Sequence, residues 1–451
     1  MLAVIAAEGH AEACGGCFNP PENPTVVTDH RMILSISKDQ STLYDQIRYQ
    51  GSPASFAWVL PISGEITVGL SADIVFSGLD QITQTQLNPP PLNCPAPPAN
   101  CRGSSSGFGG ATGAEDDGSN GVTVIKKEVV GPYETVQLQA TNPTALDDWL
   151  AQNGFNVPAD VKPVVAKYQQ ENFNFLALKL VPGKGVQDMR PVRVSTKGAN
   201  VALPLRMVAA GTGPNVGIAL WVVGEGRYEP QNFASFTIPT ADIVWDWNQR
   251  KSNYTELRAQ KTAAGSGRTW EIESSTIVYR QQIESIVNQG SYDGSGPFPQ
   301  TDEERAARDY LPVTDDQGAT TKTAVQVRDE DMGTLFYGIA TATSRVTRLR
   351  ADLVHAALDA DLVMRASPDQ SVLSNVRQLT SAVGTPQCPS FSGCGDDGDG
   401  SSGDVTVGSG GGDGTFTCAT GPRTGNAWIG LGLGFAAVAA AHAIRRRRDP
   451  R

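Results

Sequence analysis

The chain has 451 residues with a net charge of −11, and charged residues make up 18% of it. Ordinary domains run to roughly 100–200 residues, so this length fits two domains or one large one with room for a buried core. The acidic balance repels nucleic-acid phosphates and anionic lipid headgroups, so we expect neither as a partner. The 48 glycines and 29 prolines predict many loops and linkers.

Most of the recognisable secondary structure lies before Arg227. One helix has clear ends, since Asn142 suits its N-cap, Pro143 its first position and Gly154 its end. The Pro-, Gly- and Ser-rich stretch at 88–120 is typical of an irregular loop. Strands and short helices mix without a regular βαβ rhythm, which predicts an α+β fold with mixed, mainly antiparallel strands. Strands are predicted at 26–37, 42–49, 56–62, 122–130, 135–140, 173–180, 192–195 and 216–223, and helices at 142–154 and 159–171.

The pattern is weaker after Arg227. Residues 255–260 and 302–310 are typical of helices, whereas 334–341 and 353–365 are apolar without a clear period. Residues 393–414 consist almost entirely of Gly, Ser and Asp. Such a composition buries no core, so it predicts a flexible spacer.

The last apolar segment decides the predicted location. Residues 427–444 carry no formal charge and include one polar residue, His442. As a helix they would span roughly 27 Å, close to the hydrocarbon thickness of a bilayer. A buried core helix is the alternative, but it would not end in four consecutive arginines. Arginines flanking a span stay on the cytoplasmic side, which predicts that the body lies outside the membrane. The arginines are Arg445, Arg446, Arg447 and Arg448.

The N-terminus agrees with export. Residues 1–7 are apolar, and Ala11-Glu12-Ala13 has the small-x-small form that signal peptidase cleaves, which leaves Cys14 first. No basic residue precedes the apolar run, so we interpret residues 1–13 as the remnant of a longer leader. A lipoprotein signal would also place Cys14 here, but Glu12 suits that signal poorly.

The cysteines predict disulfide-stapled loops, because an exported protein meets an oxidising compartment. Six cysteines allow 15 connectivities, and local pairing is the simplest. Cys14 and Cys17 are alternatively a redox dithiol, but Pro20-Pro21 continues no helix that would lower a thiol pKa. Zinc is a further alternative, although the two nearest pairs lie some 77 residues apart. The local pairs are Cys14/Cys17, Cys94/Cys101 and Cys388/Cys394, which leaves Cys418 alone.

Histidines offer few candidates for a catalytic base. His10 lies in the predicted leader and His442 in the predicted span. His30 lies in strand-like sequence and His355 in an apolar stretch, and we interpret both as structural or surface residues. A Ser-His-Asp triad would need one of them, and no nucleophile elbow accompanies them.

Three further patterns have ordinary explanations. The G-x-S-x-G match at 103–107 lies in low-complexity loop without a flanking strand or helix. The acidic run at 396–400 suggests calcium, but Gly408 stands where an EF-hand needs Glu, so a solvated spacer is the preferred interpretation. Trp245 and Trp247 share one side of any strand, which is a packed pair or alternatively a binding platform. No catalytic residue, cofactor or metal ligand is predicted.

Two stretches carry a family resemblance. The motifs are CGGCF at 14–18, HRM at 30–32 and FAWVLP at 56–61, followed by ALDDWLAQNGF at 145–155 and FLALKL at 175–180. Together they resemble the DUF2330 family of bacterial proteins, over 14 to about 374. The resemblance implies an exported location and brings no activity with it.

The tail resembles a MYXO-CTERM sorting region of myxobacteria and their relatives. The matching features are Cys418, the apolar span and the arginine cluster. The resemblance implies that Cys418 is the processing and anchoring position. In this chain the span begins nine residues after that cysteine and is rich in glycine.

These observations predict a membrane-anchored extracytoplasmic protein that binds a surface or envelope partner or contributes to envelope structure. The alternative is an exported enzyme, either a hydrolase using carboxylates or His30 or a thiol-redox protein using Cys14 and Cys17. The only partner predicted directly is the membrane, through the C-terminal helix. The predicted organisation is a leader remnant at 1–13, a body at 14–374, a linker at 375–426, a transmembrane helix at 427–444 and a cytoplasmic tail at 445–451.

Overall fold

The computed structural model describes residues 17–18, 27–46, 57–92, 126–138, 145–153, 161–185, 187–209, 212–292, 294, 297–314 and 319–388. All of them belong to one compact unit. Two sheets, of five and eight strands, form its frame, and most strand pairs are antiparallel. The predicted mixed α+β fold with mainly antiparallel strands and short helices is therefore confirmed.

The elements follow the chain in this order. The strands are β1 Cys17–Phe18, β2 Val27–Ile36, β3 Gln40–Asp45, β4 Ala57–Ile62, β5 Ile66–Leu70, β6 Gln86–Asn88, β7 Lys126–Val130, β8 Tyr133–Leu138, β9 Asn174–Leu180, β10 Val192–Lys197, β11 Ala202–Leu203, β12 Thr212–Glu225, β13 Tyr228–Pro230, β14 Ala234–Phe236, β15 Val244–Asp246, β16 Lys251–Ser252, β17 Thr269–Ile277, β18 Val313–Thr314, β19 Thr320–Lys322, β20 Ser344–Val354, β21 Leu362–Ala366, β22 Val376–Gln378 and β23 Ser381–Val383. The helices are α1 Asp73–Thr83, α2 Ala145–Gln152, α3 Lys162–Gln170, α4 Leu205–Val208, α5 Tyr254–Ala264, α6 Arg280–Gln289, α7 Asp302–Ala306 and α8 Ala324–Leu335, and short 3-10 turns lie at Thr240–Asp242 and His355–Ala357.

The eight-stranded sheet has the order β14-β17-β20-β12-β2-β3-β10-β5. Its central strands β12 and β2 run parallel, and their long apolar runs are buried on both faces. One face packs against α1, α6, α7 and α8, with Phe76 meeting Trp221 edge to face. The other face packs against α4 and β21 through residues such as Met32 and Leu220.

The five-stranded sheet has the order β1-β4-β9-β8-β7 and is antiparallel throughout. Alternate residues of its strands face opposite sides. Val59 and Ala177 pack against α2 and α3 through Trp149 and Tyr168. The opposite side, which includes Trp58, packs against strands β5 and β10 of the larger sheet. The two sheets therefore share a hydrophobic core, which lies between them.

Several elements after Arg227 were not predicted, among them β17, β20, α6 and α8. The reason is visible in β20, whose sequence SRVTRLRADLV places arginines at intervals of two and three residues. These arginines are half-buried, and charged residues at such positions weaken the hydropathy pattern from which a strand is predicted. Residues 353–365, which had no clear period, contain the end of β20, a 3-10 turn and the start of β21.

The ordered body continues past its predicted end at residue 374. Strand β22 pairs with β6 and strand β23 pairs with β15. Between them Leu379 is fully buried, and Arg377 donates hydrogen bonds to the carbonyl oxygens of Ile238 at 2.5 Å and Glu273 at 2.6 Å. The prediction that a linker begins at residue 375 is therefore wrong by several residues.

Most of the predicted terminal features lie outside the described residues. Among the residues that the structure describes, no helix is long and apolar enough to cross a membrane. Cys388 is disulfide-bonded, while the pairing with Cys394 stays a prediction. Cys17 lies in β1. The features outside are the leader remnant, the greater part of the loop at 88–120, the span at 427–444, Cys14, Cys94, Cys101, Cys394, Cys418 and Arg445 to Arg448.

Candidate functional site

Two adjoining cavities lie between the five-stranded and the eight-stranded sheet, and we call them together the inter-sheet cleft. The larger has a volume of about 90 Å³ and the smaller about 20 Å³. Both are lined by Leu43 of β3, Leu60 of β4 and Pro204 before α4, so they are neighbours. The cleft is a candidate site because small-molecule sites are concave, mostly apolar and largely preformed.

Two rows of side chains across the larger sheet form one wall of the cleft. Leu43 stands opposite Leu34 of β2 and Val194 of β10 and faces the larger cavity with them. The next row is centred on Asp45, which stands opposite Met32 and lines the smaller cavity with it. The rows share a face because residues two apart on a strand point the same way.

Asp45 is a buried carboxyl group that has no partner among the residues that the structure describes. Its exposure is 6%, and within the described part of the chain its side chain makes no hydrogen bond or ion pair. Burial raises its pKa from 3.8 to about 7, because removal from water disfavours the charged form. The other side chains that line the smaller cavity are Met, Leu, Val, Pro and Trp. A buried acid beside a cavity, with a shifted pKa, is a candidate for ligand recognition.

His30 lies on the same face as Asp45. The hydrogen bond from the Gln46 amide to the Arg31 carbonyl at 3.0 Å extends the pairing of β2 and β3, so His30 is diagonal to Asp45. Its exposure is 2%, its Nε2 has no hydrogen-bond partner in the described part of the chain, and burial lowers its pKa from 6.5 to about 4. The residues lining the two cavities do not include His30. This placement fits the structural role preferred from the sequence better than that of a base at the cleft.

Asp361 lines the larger cavity, but its charge is compensated. Arg206 donates to one carboxylate oxygen at 2.6 Å, and the Tyr168 hydroxyl donates to the other at 2.5 Å. Arg206 also donates to both carboxylate oxygens of Glu171, at 2.9 and 2.6 Å, and lies over the Tyr168 ring. Burial and the nearby Asp361 charge raise the Tyr168 pKa well above its usual range. This cluster fastens α3 and α4 to the start of β21.

A second buried charge cluster fastens α8 to the larger sheet. Arg193 of β10 donates to Glu330 at 2.5 Å, and its Nε lies 3.7 Å from Asp331. Asp331 is fully buried and accepts hydrogen bonds from Ser71 at 2.6 Å and Tyr310 at 3.2 Å. Burial raises its pKa from 3.8 to about 6, and Arg193 and these hydroxyls oppose that rise. Its partners come from separate elements, so the cluster acts as a structural link.

A third cluster crosses the α1 side of the larger sheet. The guanidinium groups of Arg31 and Arg348 each lie 5.1 Å from the Trp221 ring, and both donate to Asp80. Arg348 also donates to Glu273 at 2.5 Å. Cations and carboxylates therefore alternate along the row and neutralise one another.

The remaining candidates from the sequence lie apart from the cleft. His355 is exposed in a 3-10 turn. The rings of Trp245 and Trp247 meet edge to face, 6.0 Å apart and half-buried, which favours the packed pair over a platform. Cys17 stands opposite Trp58 in the β1–β4 pair. The matches at 103–107 and 396–400 lie outside the described residues, and the described residues contain no cluster of ligands for a metal ion.

Sequence reasoning missed Asp45, although a signal was present. The predicted strand at 42–49 placed Leu43, Ile47 and Tyr49 on its apolar side, and Asp45 shares their odd-numbered register. An acidic residue on the apolar side of a strand marks a position where burial and charge conflict. No comparable sequence signal marked Asp361. Its partners Arg206 and Tyr168 are distant in sequence, so no local pattern shows that they meet.

Comparison with known proteins supports the family resemblance. Neither a curated protein nor a solved structure matches the chain. A family model described as an uncharacterised protein conserved in bacteria matches residues 8–316 of 451, and so ends earlier than the expected limit near 374. The resemblance of the tail to a MYXO-CTERM region stays a prediction. Because the match covers more than half of the chain, the chain belongs to the DUF2330 family.

Proposed function

We propose that this protein is a binding protein of the bacterial envelope, with its body outside the membrane and its C-terminal segment as the anchor. We further propose that the body binds a small ligand in the inter-sheet cleft. The observation that carries the binding function is the cleft itself, two adjoining cavities whose walls are strands of both sheets. Walls built from paired strands hold their shape without a ligand, which lowers the entropic cost of binding.

The chemistry of the cleft favours binding over turnover. Asp361 is held by Arg206 and Tyr168, so its charge serves the fold. Asp45 is surrounded by apolar side chains in its cavity. Nucleophilic catalysis needs a base within hydrogen-bond reach of the nucleophile, and no such pair lines the smaller cavity among the described residues. A buried acid among apolar walls is better suited to orienting a bound molecule.

The location outside the membrane rests on other features. The span at 427–444 is uncharged and is followed by Arg445 to Arg448, which favours a cytoplasmic tail. The disulfide at Cys388 supports an oxidising compartment. Both features agree with the exported location that the family resemblance implies.

Protease treatment of spheroplasts tests the location. We expect added protease to degrade the body while a tag placed after Arg451 stays protected. Spheroplasts lysed with detergent serve as the control, in which both should be degraded. If the body resists protease until lysis, the proposed orientation is wrong.

Ligand-observed NMR with a library of small soluble compounds tests the binding function. Leu43→Phe fills both cavities, because Leu43 lines each of them. Leu87→Phe is the matched control, since Leu87 is also half-buried but packs against a separate cluster around Ile243. Compounds that bind the parent should bind Leu87→Phe and not Leu43→Phe. Equal binding to both variants, or binding of no compound to the parent, would contradict a ligand site in the cleft.

A further inference from the structure

The smaller cavity combines one uncompensated carboxyl group with apolar walls. Asp45 provides the carboxyl, and Met32, Leu43 and Trp58 are among the walls. The volume of about 20 Å³ admits a group the size of a water molecule, for which about 10–15 Å³ suffices. The cavity therefore has room beside Asp45 for one small polar head.

A cation is the head that this environment favours. An ionised carboxylate in an apolar surrounding is costly unless an opposite charge compensates it. The cavity also has an indole in its wall, Trp58, and aromatic rings attract cations. An ammonium group is close to water in size and carries N–H donors for Asp45.

The larger cavity suits a short hydrocarbon chain. Leu34, Leu60 and Ile62 supply a strip of apolar wall, while Ser41, Thr196 and Asn200 are among the polar residues of its lining. Its volume of about 90 Å³ is smaller than the roughly 150 Å³ that holds a benzene ring. We propose that the inter-sheet cleft binds an aliphatic primary ammonium ion of about four carbons, with its head on Asp45 and its chain in the larger cavity. This inference rests on the proposed binding function and names the ligand class.

The orientation follows from the two carboxylates of the cleft. Asp361, in the larger cavity, already shares its charge with Arg206 at 2.6 Å. Asp45 has no such partner in the described part of the chain. The ammonium head therefore gains more at Asp45, and the chain extends toward the larger cavity.

The proposal predicts a pH dependence, because a proton on Asp45 competes with the ligand. Among the described residues, the titratable groups facing Asp45 are His30 of β2 and Tyr133 of β8, and Asp73 and Arg190 act on Tyr133. His30 stays neutral near neutral pH because its pKa is lowered to about 4. Tyr133 stays neutral because burial raises its pKa. With the Asp45 pKa at about 7, we expect binding about tenfold weaker at about pH 6 than at about pH 8.

Calorimetric titration of the full-length protein with n-butylammonium chloride tests the proposal, and 1-butanol is the neutral probe of equal length. We expect n-butylammonium to bind the parent with the stated pH dependence. Asp45→Asn should abolish that binding, and circular dichroism verifies that this variant is folded. Asp352→Asn, at a half-exposed carboxylate of β20, is the matched control and should bind as the parent does.

The other outcomes overturn the proposal in distinguishable ways. Equal binding of n-butylammonium to Asp45→Asn would show that Asp45 does not recognise the head. Binding of 1-butanol without n-butylammonium would overturn the ammonium class and leave the cleft as a binding site. Binding of neither probe to the folded parent would overturn the ligand class, while the library comparison of Leu43→Phe with Leu87→Phe decides the binding function separately.

Discussion

Arg206, which is buried, donates a 2.6 Å hydrogen bond to the half-buried Asp361, 155 residues away in sequence. Tyr168 donates to the same carboxylate at 2.5 Å, so helix α3, helix α4 and the start of β21 meet at one ion pair. Asp361 also lines the larger cavity. Stability and the shape of the cleft therefore depend on the same contact.

Asp361→Asn should destabilise the protein. The substitution removes the negative charge that faces Arg206, so we expect the free energy of unfolding to fall by about 1–3 kcal/mol, as when a buried donor loses a partner. Urea denaturation measures the change. Glu171→Gln is the control, because Glu171 contacts the same guanidinium but its side chain is 39% exposed, and it should cost less than about 1 kcal/mol. Equal costs would contradict a dominant role for Asp361.

Asp45→Asn should stabilise the protein at alkaline pH. The folded-state pKa of Asp45, about 7, lies above the ordinary 3.8, so the folded state holds its proton more tightly than the unfolded chain does. Stability from this group is therefore present below about pH 4 and is lost as the pH rises to about 7. At about pH 8 the variant should gain on the order of 3 kcal/mol over the parent, with no gain at about pH 4. Urea denaturation across this range measures the difference, and a constant difference would contradict the prediction.

His30→Leu should stabilise the protein in acid. The folded-state pKa of His30, about 4, lies below the ordinary 6.5, so the parent loses stability as the pH falls from about 6.5 to about 4. Across this window the variant should gain on the order of 3 kcal/mol relative to the parent. The comparison must be made against the parent at each pH, because Asp45 acts with the opposite sign over an overlapping range.

His355→Leu is the control for this prediction. His355 is exposed in a 3-10 turn, so its replacement removes a histidine side chain without removing a buried one. Thermal unfolding followed by circular dichroism at several pH values compares the three proteins. If His355→Leu changes the stability in acid as strongly as His30→Leu does, the burial of His30 is not the cause of the pH dependence.

Leu379→Ala should show that the body extends past residue 374. Leu379 has 0% exposure and packs with Ile238, Ile243 and Tyr254. Removal of a buried leucine side chain typically costs about 2–5 kcal/mol. Val383→Ala is the matched control, since Val383 is 53% exposed, and it should cost less than about 0.5 kcal/mol. Urea denaturation measures both changes in the free energy of unfolding. Equally small changes for the two variants would show that Leu379 does not belong to the core.

Several strands and helices of the first half were predictable because their apolar residues follow clear periods, whereas β5 and α1 were not predicted. β2, β4 and β9 lie within or close to their predicted limits, and so do α2 and α3. In contrast, β20 carries Arg345, Arg348 and Arg350 in a long strand, and its period is masked by charge. Its partners, such as Glu273 and Asp80, come from distant parts of the chain. The pairing of Arg348 with these carboxylates therefore cannot be predicted from any local sequence pattern.

The sequence by itself determined the family, the mixed α+β class and the expectation of an anchored, exported chain, because motifs, apolar periodicity and an uncharged span followed by arginines are local features. Only the tertiary structure decided which charges are compensated. Asp361 meets Arg206, whereas Asp45 faces a cavity and has no partner among the described residues, and neither outcome can be read from the sequence. The physical reason is that the energy of a buried charge depends on what the fold brings within a few ångströms of it, and those contacts join residues far apart in the chain.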